Sequence, residues 1–317
     1  MSYVLSLIAS PAKSPLLPSD IHLARRAVDA AKGEAGKPVE LSPGEACEIP
    51  FDGSPIPVRD GARAALGGRP IDVNVVSGYF RRKNLLIADM DSTLIQQECI
   101  DELAAEFGLG REVAAITERA MRGEIAFAPA LRERVRLLQG LPTDTVAKVL
   151  AKRIVLMPGA MILVATMRKA GAYTALISGG FTVFAEPIAR RLNVHEYHAN
   201  ELIATEGAFS GAVAEPILGR EAKAQTLREL ARRFQLENKD TLAVGDGAND
   251  ADMVRSAGLG VAFRAKPALR AAASALVDHA DLTALLFLQG YRGEEFVPNV
   301  EARSADFKGS GIGFKTQ

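Results

Sequence analysis

The apolar run Leu85-Leu86-Ile87-Ala88 leads directly into Asp89-Met90-Asp91-Ser92-Thr93, and this junction constrains the fold more than any other feature of the sequence. A short, wholly apolar segment reads as a strand buried on both faces, as in parallel sheets covered by helices. Carboxylates that follow such a strand project from its carboxyl end, where open α/β sheets bind ligands. Two of them together are costly unless a cation lies between them, and a magnesium ion sharing a phosphate meets that need. Taken alone, the D-x-D pair reads equally well as an acidic turn.

The flanking patterns divide the chain. Residues 1–80 read as β-α-β-β-α-β, with strands at Tyr3 to Ile8, Val39 to Leu41, Ala46 to Ile49 and Ile71 to Val76, a helix capped by Asp20, and a second helix from Val58 to Leu66. This is a ferredoxin-like α+β order, topologically similar to a degenerate ACT-type regulatory module, and a homodimer through it is a candidate assembly. Ser77-Gly78 and Arg81-Arg82-Lys83 punctuate a boundary. Residues 98–157 are wholly helical in pattern, with four amphipathic segments inserted between residues 83–97 and 158–295. Those two stretches alternate strands and helices (strands Tyr173 to Ile177, Thr241 to Val244, Leu259 to Ala262), which implies a doubly wound parallel α/β sheet. A hairpin is expected to turn at Glu206-Gly207, and residues 302–317 read as a loose polar tail.

Composition narrows the function classes. Lys plus Arg (38) balance Asp plus Glu (38), so no global field draws nucleic acid or an anionic membrane. No apolar stretch approaches the ~20 residues of a membrane span. The opening MSYVLSLIASPAK lacks a basic n-region, and Cys47 and Cys99 suit neither a disulfide framework nor a metal knot. The expectation is a cytoplasmic protein with reduced thiols. His22, His195, His198 and His279 fit no ligand or triad spacing.

Three further features accompany the paired carboxylates. Ser178-Gly179-Gly180-Phe181 follows a strand and reads as the opening of a helix, where a hydroxyl and unobstructed amides make an anion site. Lys223 lies in the first turn of a helix beginning near Gly219, against the macrodipole unless an anion compensates it. Gly245-Asp246-Gly247-Ala248-Asn249-Asp250 packs two acids and an amide into a glycine-bearing turn after a strand, which suits metal ligation. Each alone has an ordinary structural explanation: a glycine turn, a surface lysine, an acidic loop.

Together, Asp89-x-Asp91-x-Thr93, Ser178, Lys223 and Gly245-Asp246-x-x-x-Asp250 resemble the four motifs of the haloacid dehalogenase superfamily over residues 83–290. The strings DMDSTLIQQECIDE, MRGEIAFAPALRERVRLLQG, SGGFTVFA and GDGANDADM resemble its phosphoserine phosphatases. The resemblance implies hydrolysis of phosphoserine, the last step of serine biosynthesis, with Asp89 as nucleophile and Asp91 as general acid and base. It implies Mg2+ on Asp89, Asp246 and the Asp91 backbone carbonyl, with Asp250 in support. Ser178, Gly179, Gly180, Lys223 and Asn249 would surround the phosphoryl group. The helical insert becomes a cap in which Glu98 receives the substrate ammonium, Arg134 its carboxylate, and Met121 and Phe127 close over it. Without the resemblance, all four cap residues read as helix-end, solvated-face or core positions.

Two rival readings differ in kind. A phosphotransferase or phosphatase acting on a neighbouring amine such as phosphohomoserine differs by one methylene, worth only ~1–3 kcal/mol in a pocket. A catalytically idle receiver module would need neither Asp91 nor a helical cap.

Overall fold

In the computed structural model, residues 1–121 and 124–298 are described. The chain opens with β1 (Tyr3–Ala9), α1 (Pro18–Ala30), β2 (Glu34–Ala35), β3 (Val39–Ser42), β4 (Ala46–Asp52), α2 (Pro55–Ala65) and β5 (Ile71–Ser77). These strands form an antiparallel sheet in the order β2-β4-β1-β5, with β3 also on β4. The expected order is met, with the very short β2 added. Helix α1 starts two residues before Asp20, because Pro18 suits the first turn; Asp20 instead reaches back to accept the Leu17 N–H at 2.8 Å.

Strand β1 is buried on both faces. Leu5, Leu7 and Ala9 pack with Ala24 and Val28 of α1 and Val58 and Ala62 of α2, while Ile8 joins the large core of the rest of the molecule. The sheet is thus held between its own helices and the following unit. Polar side chains on β5 join the two: Asp72 accepts the backbone N–H groups of Asp278, His279 and Ala280, and Asn74 both accepts from and donates to the Leu276 backbone at 2.8 Å. The basic cluster read as simple punctuation also bolts the units together. Arg81 pairs with Glu48 and donates to the Leu288 carbonyl, and Lys83 donates to the carbonyls of Phe80 and Lys239.

After β6 (Leu85–Ala88) comes the helical insert of α3 (Cys99–Ala105), α4 (Gly110–Met121), α5 (Phe127–Arg136) and α6 (Thr145–Lys152). The chain then runs through α7 (Ala160–Lys169), β7 (Tyr173–Phe181), α8 (Thr182–Leu192), β8 (Glu196–Asn200) and the hairpin β9 (Leu202–Thr205) and β10 (Ala208–Val213), which turns at Glu206-Gly207 as expected. It continues with α9 (Arg220–Arg233), β11 (Thr241–Gly245), α10 (Ala251–Ser256), β12 (Leu259–Phe263), α11 (Pro267–Arg270), β13 (Ala275–Val277) and α12 (Ala284–Leu288).

The second sheet has the order β13-β12-β11-β6-β7-β8 and is parallel throughout. The chain winds from β6 outward to β8 on one side, then returns to build β11 to β13 on the other. The switch point therefore falls at the carboxyl ends of β6 and β11, where such sheets leave a crevice.

One expectation needs correction. Ser178 to Gly180 do not open a helix: β7 continues through Phe181 and α8 begins at Thr182. The glycines instead allow a register shift against β8 between Ile177 and Phe181. The tail expected at 302–317 lies outside the described residues.

Candidate active site

Parallel register places the key side chains side by side. Ala88 pairs with Val244 on one flank and Leu176 on the other, so Asp89 and Asp246 follow the ends of adjacent strands and Ser178 lies next to them inside β7. The Asp89 N–H bonds the Val244 carbonyl at 3.0 Å, which carries the pairing one residue past β6. Beyond it the backbone makes a wide turn over Met90–Leu94, with Asp91 extended and Ser92 left-handed at φ 54. That geometry returns Asp91 to the crevice, where its Oδ1 accepts the Cys99 N–H at 3.1 Å, an otherwise unpaired donor at the start of α3.

Lys223 is almost wholly buried, its Nζ 2.7 Å from Asp89 Oδ1 and 2.7 Å from Asp250 Oδ1. Burial works against its charge, but the Asp250 and Asp89 carboxylates outweigh it and hold the ammonium above its ordinary range. Burial and the Asp250 charge push the Asp89 carboxyl well up, against the pull of Lys223. Asp246 is pushed up to about 6, mainly by burial. Oxygens of Asp89, Asp246 and Asp250 lie within 4.8 Å of one another, and all three residues are buried. One buried ammonium does not neutralise three buried carboxylates, and hard oxygen donors are what a divalent cation prefers. The donor set fits such an ion.

The glycines of this loop are fixed by close approach. A Cβ on Gly245 would collide with the Asp250 carboxylate, and one on Gly247 with Asn249 Oδ1. The Asn249 side chain is therefore folded back against Gly247 of the same loop.

Asp91 is pushed up to about 7, first by burial and then by the charge of Glu98. It can thus carry or release a proton near neutrality. Glu98 accepts the Ser92 hydroxyl at 2.8 Å. Across the crevice, Gly180 passes Asp91 so closely that a Cβ there would lie 2.9 Å from Asp91 Oδ2. The Gly180 N–H donates to Ser178 Oγ at 2.8 Å.

The cap closes this crevice. A Cβ on Gly179 would lie 3.1 Å from Phe127 Cζ, and one on Gly219 would lie 3.4 Å from Phe127 Cδ1, so the Phe127 ring rests across both glycines. Arg134 is partly buried; burial lowers its pKa, opposed by the charges of Asp101, Glu98 and Asp91. Its Nε reaches only the Ala130 carbonyl at 3.4 Å, and it makes no ion pair among the described residues. Neighbouring Arg132, by contrast, is engaged with Glu215. Arg134 is thus a guanidinium inside the crevice, not one more cation on a solvated face. Met121 ends α4; its side chain lies outside the described residues.

A model of the haloacid dehalogenase-like hydrolases matches residues 86–255. The chain belongs to this family. The chain is 48% identical over 216 residues to a phosphoserine phosphatase of Mycobacterium tuberculosis, covering 68% of this chain and 53% of that protein, so it spans about half the length of that relative. It is similar to the crystal structure of an unliganded probable phosphoserine phosphatase from Vibrio cholerae (TM-score 0.75, 32% identity, 91% of this chain and 86% of that one). It is also similar to a phospho-aspartyl intermediate analogue of phosphoserine phosphatase (TM-score 0.61, 39% identity, 65% of this chain and 98% of that one).

Several residues beside the hydrolase's crevice escape motif reading. Ser92 holds Glu98, Lys266 brings Nζ to 3.7 Å from Asp246 Oδ2, and Asn200 bonds Gly179 and Leu218. Lys266 and Asn200 act on partners 18 or more residues away, so no local spacing signals them. Cys47 and Cys99 are free and buried, and burial pushes both thiols up, which fits inert side chains. His195 stacks on Tyr173 and takes the Thr174 N–H at 3.1 Å, a structural role.

Proposed function

We propose that this hydrolase converts O-phospho-L-serine to L-serine and phosphate, the last step of serine biosynthesis, through a phosphoaspartyl intermediate on Asp89. The observation that carries this reading is the shared crevice: paired Asp89 and Asp91 at the switch point, beneath a cap that supplies Glu98, Phe127 and an Arg134 with no ion pair among the described residues.

Asp89 attacks phosphorus as the bond to the serine oxygen breaks, and the proton on Asp91 passes to that oxygen. Asp91, now a carboxylate, takes a proton from a water molecule that attacks the phosphoaspartate; the bond to Asp89 breaks and phosphate leaves. Lys223, Ser178, the glycine-segment amides and Asn249 surround the phosphoryl oxygens and meet the charge that develops on them. Mg2+, held by Asp89, Asp246 and the Asp91 carbonyl with Asp250 in support, would neutralise phosphate charge. Arg134 takes the substrate carboxylate and Glu98 its ammonium, beneath Phe127 and Met121.

No helix among the described residues is long and apolar enough to cross a membrane. Two buried free thiols support a cytoplasmic location. The reading extends to a homodimer through the N-terminal ACT-like domain, which size-exclusion chromatography tests.

Phosphate release from phosphoserine, phosphothreonine, phosphohomoserine and a sugar phosphate, with Mg2+ and with EDTA, tests the assignment. Metal-dependent turnover strongly favouring phosphoserine is expected. A preference for phosphohomoserine would keep the chemistry and reassign the cap.

A further inference from the structure

Asn200 closes β8 and is 3% exposed. Its Nδ2 donates to the Gly179 carbonyl at 2.9 Å and the Leu218 carbonyl at 3.2 Å, and its Oδ1 accepts the Leu218 N–H at 2.6 Å. The ladder between β7 and β8 is interrupted across Gly179, so the side-chain amide serves a carbonyl inside that irregularity. Leu218 lies in the irregular segment before α9, where a backbone buried without partners would be costly. The Leu218 N–H must face an acceptor, which fixes the orientation of the amide.

One buried side chain therefore spans two segments. The first, inside β7, carries Ser178 and Gly180. The second runs into Gly219, whose carbonyl accepts the Lys223 N–H at 3.3 Å in the first turn of α9. Phe127 of the cap rests on a glycine from each segment. Only an amide offers this combination: a carboxylate in its place faces two carbonyl oxygens, and an aliphatic chain leaves three backbone groups without partners.

We propose that Asn200 is a positioning residue for phosphoryl binding, setting the spacing between the Ser178–Gly180 segment of β7 and Lys223. This rests on the phosphatase reading above. Asn200 acts on the phosphoryl subsite and not on the amino-acid subsite, so its loss has a distinctive kinetic signature.

The test compares the wild-type full chain and Asn200→Asp, both with Mg2+, using phosphoserine and p-nitrophenyl phosphate as substrates and inorganic phosphate as inhibitor. Because small misplacement of catalytic groups costs on the order of 10²-fold, kcat is expected to fall by roughly that factor, and equally, for both substrates. Phosphate should inhibit the variant only at correspondingly higher concentration. Should Asn200→Asp fail to fold, Asn200→Ser, which puts a neutral hydroxyl there instead, takes its place. A folded variant with unchanged kcat and unchanged phosphate inhibition would overturn the inference, as would a loss confined to phosphoserine. Wild type that releases no phosphate from phosphoserine would overturn the functional reading itself, and the inference with it.

Discussion

The Lys223 ammonium lies 2.7 Å from Asp89 Oδ1, so the proposed nucleophile is paired in the protein to a cation from the first turn of α9. Lys223 shares itself with Asp250, and a shape-matched Lys223→Met leaves both carboxylates buried and unpaired. Breaking a buried pair in this way costs about 3–5 kcal/mol, and that loss is expected in chemical unfolding without metal. Mg2+ should restore more stability to the variant than it adds to wild type, because Asp89 and Asp250 have then lost their shared ammonium. An equal metal effect in both proteins would separate Lys223 from the metal site.

Burial first, and then the charge of Glu98, favours the proton on Asp91. The Asp91 pKa is raised to about 7, so the protonated acid that phosphoenzyme formation needs is present below that value and is lost as pH rises through it. Glu98→Gln removes a charge that favours the proton, so the alkaline limb of single-turnover phosphoenzyme formation should move to lower pH. An unmoved limb would assign the shift to burial alone.

Arg134→Ala should separate the two halves of the substrate. Loss of one partner of a buried charge pair costs about 2–5 kcal/mol, so kcat/KM for phosphoserine should fall by roughly 10²-fold or more. The p-nitrophenyl phosphate rate should stay near wild type, since that substrate has no carboxylate to bind. Matching losses on both would make Arg134 structural.

Asp72 holds the N-terminal sheet against the loop after β13. Asp72→Ala leaves three backbone N–H groups without their acceptor, at about 1–3 kcal/mol for each one that stays buried and unsatisfied. The expected outcome is lower stability, with the N-terminal unit melting before the parallel-sheet core and kcat unchanged. A single unaltered transition would show that the contact contributes nothing to docking.

The parts legible in sequence were those with a local cause. Leu85 to Ala88 announced a central strand because both of its faces are covered, and the acids after it followed from strand geometry. Strand β8 was not legible: Glu196–Asn200 is polar and lies at the sheet edge, so it needs no apolar run. The glycines after Ile177 signalled a break, but not whether it was a helix start or an irregular strand, since glycine permits both. Phe127 and Arg134 looked like ordinary helix residues without the family resemblance; only tertiary packing turns them toward Gly179 and toward the acids of the crevice. Asn200 had no signal at all, because its three hydrogen bonds join segments separated by the hairpin.

The most direct measurement is phosphate release from O-phospho-L-serine with Mg2+ by wild type and Asp89→Asn side by side, with circular dichroism of both. Turnover by wild type and a loss of at least about 10³-fold in a folded variant are expected if Asp89 is the nucleophile. A folded Asp89→Asn protein that retains near-normal turnover would contradict the covalent mechanism.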